Sequence, residues 1–343
     1  MTTLREHLED WAGASAGRQA LAETLRAIAE ASVALQELVA LGPLAGEPGA
    51  VLGASADGDG QKALDLRANG LFLDHLRAAP VAAVASEELP EPEVLRASAP
   101  LAVALDPLDG SNNIDSNAPM GTVFSLLPSQ LAREPEAAFA AAGDRQLAAG
   151  FVLYGPHTVL ALTLGQGVQV FALDRRERLF RLTRPALRIP EGRREYAING
   201  SNARHWPLPI RAFVEECVAG ADGPRGVDYN TRWLGCVVAE AYRVLLQGGI
   251  YLYPGDARRG YERGRLRLLY EAAPLALLVE QAGGAATDGF GRILDLAPAG
   301  IHQRVPLIFG SRDKVERVVA LHAPAVPQAG QRPLFAARGL FRS

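Results

Sequence analysis

The chain has 343 residues, 48% of them hydrophobic and 21% charged, and its 35 basic and 38 acidic side chains leave a net charge of −3. That mixture describes a globular protein with core enough for two domains, and it offers no basic field for nucleic acid or an anionic membrane surface. Cys217 and Cys236 are too few for a disulfide framework and lack metal-ligand spacing with the six histidines, so they read as buried thiols.

The opening "MTTLREHLEDWAG" has no apolar core of the signal-peptide kind, and no window reaches the roughly 18 unbroken apolar residues of a membrane span, so a cytoplasmic protein is expected. Residues 20–43 carry Leu21, Leu25, Ile28, Leu35, Leu38 and Val39 near a 3.6-residue repeat and stop at Gly42-Pro43, which predicts a helix with one buried face. The stretch 45–60 has no period and many small residues, as a connection or lid would. A second helix is expected over 63–79, and short buried strands over 81–86 and 101–106. Residues 149–183, rich in β-formers and broken by Gly-Pro and Gly-Gln-Gly, predict an antiparallel meander. The Pro- and Arg-rich run 184–194 marks the domain boundary. Beyond it, a helix over 209–220, strands over 248–254 and 265–271, and a helix over 273–284 predict an α/β second half. The domains are expected at 1–188 and 189–321, followed by an extended Pro-rich tail over 322–343.

Three of these strands run into acids. "VAAVAS" leads to Glu87-Glu88, "LAVAL" to Asp106 and Asp109 in "DPLDGSNNID", and "RLRLLY" to Glu271. Ends of neighbouring strands in an α/β sheet converge on one crevice. Four or five carboxylates gathered there repel each other unless a cation lies between them. Oxygen ligands of this kind suit Mg²⁺ or Mn²⁺, and two such ions serve phosphoryl transfer to water. Each acid taken alone is more readily a helix cap, a turn former or a surface charge than a metal ligand.

Phosphate is also provided for. Gly110 allows close backbone approach, and Ser111, Asn112 and Asn113 add donors around exposed N–H groups; helix capping explains the same residues. Period two puts Arg265, Arg267 and Leu269 on one face of the 265–271 strand, which suits bidentate phosphate binding and equally a solvated edge strand. A calcium loop counted from Asp57 fails, since Lys62 and Ala68 stand where Gly and Glu are required. "GQGVQV" lacks the third glycine and the following helix of a dinucleotide fingerprint.

With "SEE" at 86–88, "DPLDGSNNID", "GGIYLYP", "LRLLYE" and "GIHQRVP" at 300–306, the chain resembles class I fructose-1,6-bisphosphatases of the metal-dependent, lithium-sensitive sugar-phosphatase superfamily over about residues 20–320. The resemblance implies a layered α/β/α/β/α fold of two domains, a homodimer or homotetramer, and Mg²⁺-dependent hydrolysis of the C1 phosphate of fructose 1,6-bisphosphate, with Mn²⁺ as a substitute and two or more ions per site. It makes Glu87, Asp106, the Leu108 carbonyl, Asp109 and Glu271 metal ligands, with Glu88 beside them. Asp65 with Glu87 would activate the attacking water, and Asp59 would belong to a closing loop. Asp109, Gly110, Ser111, Asn112 and Arg267 would hold the reacting phosphate; Asn199, Trp233, Tyr253 and Arg265 would surround the distal half of the substrate. Arg232 resembles an arginine that reaches the distal phosphate of a neighbouring subunit.

The sequence departs from the pattern at Asn112 for a serine, Arg265 for a lysine, and Trp233 and Asn202 for tyrosines. Pro100 and Leu101 stand where animal relatives carry a lysine-tyrosine pair for inhibitory AMP, and the redox insertion of chloroplast relatives is absent. The likeness is strongest to the bacterial carbon-fixation subgroup, which implies sedoheptulose 1,7-bisphosphate as a second substrate. An inositol monophosphatase-like enzyme shares the Asp-Pro-x-Asp-Gly turn, and a metal-stabilised scaffold without turnover is the non-enzyme alternative.

Overall fold

A computed structural model of the chain describes residues 1–54, 60–129 and 135–323. Three helices come first: α1 (Leu4–Ala12), α2 (Ala16–Leu41) and α3 (Ala63–Ala78), with the short antiparallel strands β1 (Val51–Ala54) and β2 (Gly60–Lys62) before α3. The expected connection over 45–60 thus holds the strand β1 and ends where β2 begins. Asp57 and Asp59 lie outside the described residues.

Next come β3 (Val81–Ser86), β4 (Glu93–Val94), β5 (Leu101–Asp109), β6 (Met120–Pro128), β7 (Ala148–Tyr154), β8 (Thr158–Thr163), β9 (Val168–Asp174) and β10 (Leu179–Leu187). They form one eight-stranded sheet in the order β10-β9-β8-β7-β6-β5-β3-β4. The meander expected over 149–183 is its antiparallel half, while β3 and β5 run parallel. β10 takes up the first part of the stretch read as a boundary.

The remainder holds β11 (Glu195–Ala197), α4 (Leu208–Val218), β12 (Asn230–Thr231), α5 (Val237–Gln247), β13 (Ile250–Tyr253), β14 (Leu266–Arg267), α6 (Ala273–Gln281), β15 (Ala285–Thr287), β16 (Arg304–Val305), β17 (Leu307–Gly310) and α7 (Arg312–His322). A five-stranded sheet runs β12-β11-β13-β17-β15. α7 extends to His322, one residue into the span read as tail; residues 324–343 lie outside the described residues.

Side-chain alternation stacks these elements in five layers. One face of the large sheet, with Val103, Leu105, Phe124, Leu126 and Val152, packs on Leu25, Ile28, Leu35 and Phe72 of α2 and α3. Its other face, with Val123, Phe151 and Val170, meets α5 and α6, which also receive Tyr251, Leu307 and Phe309 from the small sheet. The outer face of the small sheet, with Ile250, Leu252 and Ile308, is covered by α4 and α7 through Ile210, Phe213, Val315 and Val318. The order is α/β/α/β/α. α2 is long and apolar enough to cross a membrane by length and composition alone, with mean hydropathy 1.3. Here its apolar side lies in the first core.

One element differs from its expected form. The strand expected over 265–271 is a strand only at Leu266–Arg267; Leu268–Ala272 is a π-helical turn running into α6. Two periodicities cannot be separated over seven residues. Leu, Tyr, Glu and Ala here are buried on every side, and Leu269 and Tyr270 press on Ala83, Ala85, Ala102 and Ala104 of β3 and β5. Glu271 therefore stands in a helical turn rather than at a strand end.

Candidate active site

The parallel neighbours β3 and β5 deliver Glu87-Glu88 and Asp106–Asp109 to the same end of the large sheet, and the π turn brings Glu271 over them. Together they line a cleft of about 290 Å³, which also takes in Asp65, Leu108, Gly110, Ser111, Asn112, Trp233, Tyr253, Arg265 and Arg267. Asn199 lines an adjoining depression with Asn202, sharing Tyr253 and Arg265 with the cleft wall. Arg232 does not join them in its own chain. It lies on a separate face beside Arg193, Arg194, Glu195 and Asn230.

Ligand oxygens of Asp106, Asp109 and Glu271 lie within 4.8 Å of one another. Asp106 is 1% exposed; its Oδ1 accepts the Leu108 N–H at 3.0 Å, and its Oδ2 is buried without a hydrogen-bond partner. Glu271 accepts the backbone N–H of Arg267 at 2.6 Å, and the Arg267 guanidinium pairs with Glu87 at 2.9 Å. Asp109 Oδ2 accepts the Cys236 thiol and the Val238 N–H, both at 2.9 Å, so the N-terminus of α5 seats this carboxylate. Gly110 turns the chain at φ 78°, and a side chain there would meet Cys236 Cβ at 3.0 Å. Glycine satisfies both demands.

A second group faces the first. Asp65, in the first turn of α3, accepts the Lys62 N–H at 2.9 Å, while its Oδ1 is buried without a partner. Glu88 accepts Gln61 Nε2 at 2.6 Å, and Lys62 Nζ donates to the Ser111 carbonyl at 2.8 Å. Gln61, Lys62 and Cys236 were not singled out as site residues in the sequence. Lys62 and Gln61 stand beside the acids already noted in "GDGQKALD", whereas Cys236 has no local signal, its partner being 127 residues away.

Burial raises five carboxyls of the cleft, those of Asp65, Glu88, Asp106, Asp109 and Glu271. Asp65 moves to about 6, opposed by the Lys62 N–H and reinforced by Glu87. Glu88 moves to about 7 through burial and then repulsion from Asp65 and Glu87. Asp109 moves to about 6 despite its thiol and backbone donors. Asp106 and Glu271 lie well above the usual carboxylate range, through burial and then Glu87. An all-oxygen cluster with repelling charges and an orphaned buried oxygen fits a hard divalent cation.

The sign of the pH effect follows. An acid whose pKa is higher folded than unfolded stabilises the metal-free fold fully below about 4 and loses that contribution as pH rises through 6 to 7. A cation bound by these acids would replace those protons. Mg²⁺ should therefore raise Tm only slightly at pH 5 and by at least several degrees at pH 8, as measured by differential scanning calorimetry. A gain independent of pH would count against metal binding by these acids.

The layered fold and this acid-lined, arginine-bearing cleft define the class as a metal-dependent phosphatase. The N-terminal domain model of fructose-1,6-bisphosphatase matches residues 1–185 and the C-terminal domain model residues 189–323. The chain is 54% identical over 341 residues to the class 1 fructose-1,6-bisphosphatase of Rhodopseudomonas palustris strain BisB18, and 52% identical to one from Nitrobacter hamburgensis. Each alignment covers 99% of this chain and 98% of the relative. The crystal structure of Leishmania major fructose-1,6-bisphosphatase in holo form superposes with a TM-score of 0.87 at 33% identity, covering 94% of this chain and 98% of that one. The chain belongs to the fructose-1,6-bisphosphatase family.

Proposed function

We propose that this chain hydrolyses the C1 phosphate of fructose 1,6-bisphosphate, giving fructose 6-phosphate and inorganic phosphate, with Mg²⁺ as the working ion and Mn²⁺ as a substitute. The observation that carries the reading is the gathering of Glu87, Asp106, Asp109 and Glu271 around Arg267 in one cleft, with Tyr253 and Arg265 on its wall.

Two or more ions, when bound to Glu87, Asp106, the Leu108 carbonyl, Asp109 and Glu271, would supply the positive charge that lowers the barrier to attack on phosphorus. Gly110, Ser111 and Asn112 offer backbone N–H groups to the reacting phosphate, and Arg267 adds a charged donor. Asp65 and Glu87 orient the attacking water and take its proton; Asp65 Oδ1, buried without a partner, is the oxygen available for it. Glu88, held by Gln61, stands beside this pair, and Asp59 serves in the closing loop. The distal phosphate meets Asn199, Tyr253 and Arg265, the last held by cation–π contact at 4.6 Å and a 2.7 Å hydrogen bond to Tyr261. Arg232 reaches the same phosphate from a second copy in a homodimer or homotetramer, consistent with its place away from its own cleft. The N-terminal unit ends near residue 188, and the enzyme serves carbohydrate metabolism of the gluconeogenic or Calvin-cycle kind in the cytoplasm.

Sedoheptulose 1,7-bisphosphate is a second substrate. Asn202 in place of tyrosine removes bulk near the distal phosphate, and Arg265 is a longer, forked donor than lysine. Trp233 is held by stacking on Tyr251 at 5.8 Å and forms a fixed wall rather than a mobile obstruction. Pro100 and buried Leu101 offer nothing to an adenylate phosphate, so AMP should not inhibit.

Initial rates of phosphate release across fructose 1,6-bisphosphate, sedoheptulose 1,7-bisphosphate and inositol monophosphate, with Mg²⁺ or chelator and with or without AMP, test this reading. Both bisphosphates should exceed the monophosphate by about a hundredfold in kcat/KM, two charged contacts being lost with the distal phosphate. A faster monophosphate would favour the inositol monophosphatase-like reading, and no turnover of any substrate the scaffold.

A further inference from the structure

We propose that Glu195, Arg243 and Glu240 form a buried positioning relay tying Arg232, on the outer surface, to the turn that seats Asp109 in the cleft. The inference deepens the proposed function and rests on it for the roles of Arg232 and Asp109.

Hydrogen bonds of 2.7–3.1 Å make every link but the outermost, which is a looser ion pair at 3.7 Å. Glu195, in β11, is 2% exposed. Its Oε1 accepts Arg193 Nη2 at 2.6 Å and lies 3.7 Å from Arg232 Nε; its Oε2 accepts Arg243 Nη1 at 3.1 Å. Arg243, in α5, donates through Nε to Glu240 Oε2 at 3.0 Å. Glu240 is fully buried, and its Oε1 accepts the Leu234 N–H at 2.7 Å. Leu234 follows Trp233 and precedes Gly235-Cys236, where the thiol and the Val238 N–H hold Asp109. Arg232 Nη1 also donates to the Thr231 carbonyl at 3.2 Å, so its guanidinium is held from two sides.

Two buried carboxylates sharing one arginine are a costly way to fill space, since apolar residues of equal volume would pack there without the desolvation penalty. What such a chain supplies is fixed geometry at both ends. At the outer end it limits the rotamers Arg232 must lose on meeting a phosphate, which lowers KM without touching the chemical step. At the inner end Glu240 fixes the turn whose thiol orients Asp109 toward the metal-binding oxygens. The three residues are positioning residues; none touches substrate.

The first arm of the test is a double-mutant cycle on the full-length enzyme. Glu195→Gln keeps shape and removes the charge facing Arg232. KM for fructose 1,6-bisphosphate should rise about fivefold with kcat within about twofold, and Arg232→Ala added to it should raise KM far less than it does in the wild-type chain. The second arm reads metal binding without activity. Glu240→Gln retains an acceptor for the Leu234 N–H and should keep the Mg²⁺-induced rise in Tm, whereas Glu240→Met, which cannot accept that bond, should lose at least about half of it. Additive KM effects, or an equal Tm gain in Glu240→Met and Glu240→Gln, would overturn the relay. A wild-type chain without bisphosphatase activity would remove the proposed function, and the Tm arm would still decide whether Glu240 positions the metal site.

Discussion

Asp109→Asn should lower kcat/KM on fructose 1,6-bisphosphate by at least about a thousandfold, because under the proposed function a site for divalent cations loses one of its charged ligands. The fold survives the change. Asparagine keeps the shape and an oxygen for the Cys236 thiol and the Val238 N–H, which now hold the carboxylate at 2.9 Å. Stability should move the other way from activity. The Asp109 carboxyl is raised to about 6 by burial and by Glu87, so at pH 8 its ionised form is a burden to the metal-free protein, and a neutral amide lightens it. Without metal, Tm at pH 8 should equal or exceed that of the wild type, and Mg²⁺ should raise it less. A variant keeping more than about a tenth of wild-type activity would contradict the placing of Asp109 at the metal site.

Arg267→Met should lose activity and stability together. Arg267 is 8% exposed, pairs with Glu87 at 2.9 Å, and stands where burial and mutual repulsion already raise Asp106 and Glu271. Removing one partner of a buried ion pair costs about 3–5 kcal/mol, because the other charge is left uncompensated. In a chain of 343 residues that is roughly 4–7 °C in Tm for the metal-free protein. Mg²⁺ supplies replacement charge, so the loss should shrink when it is added. Turnover should fall about a hundredfold or more, since the charged donor proposed for the reacting phosphate goes too. Equal Tm losses with and without Mg²⁺ would mean that Arg267 is stabilised by something other than the acid cluster.

The two variants separate what the sequence makes legible from what it hides. The Asp106–Asn113 stretch is readable locally: an apolar run predicts β5, which continues through Pro107 to Asp109, Gly110 makes the turn, and the acids fall at that strand end whatever the rest of the chain does. The meander is readable because its runs of β-formers are broken by Gly-Pro and Gly-Gln-Gly; that both faces are buried, Phe151 in one core and Val152 in the other, is not. Glu271 is readable as an acid of the site but not in its element, since strand and helix share the same apolar positions over so short a run. The seat of Asp109 is hidden, because it depends on α5 arriving at β5 from another layer, and nothing around Cys236 announces that arrival. Glu195 and Glu240 are hidden for the same reason. An acid in a short strand or on a helix looks like a surface charge until the layers stack and bury it. Arg232 shows the reverse case. It stands out in "NTRWLG", yet its own chain gives it no place in the cleft.

The most direct test of the central claim is a phosphorus NMR time course of fructose 1,6-bisphosphate with the purified protein, with Mg²⁺ and then with excess chelator. The account predicts that the C1 phosphate resonance is replaced by inorganic phosphate while the C6 phosphate remains as fructose 6-phosphate, and that chelation stops the conversion. Release of the C6 phosphate, or continued turnover in the presence of chelator, would contradict it.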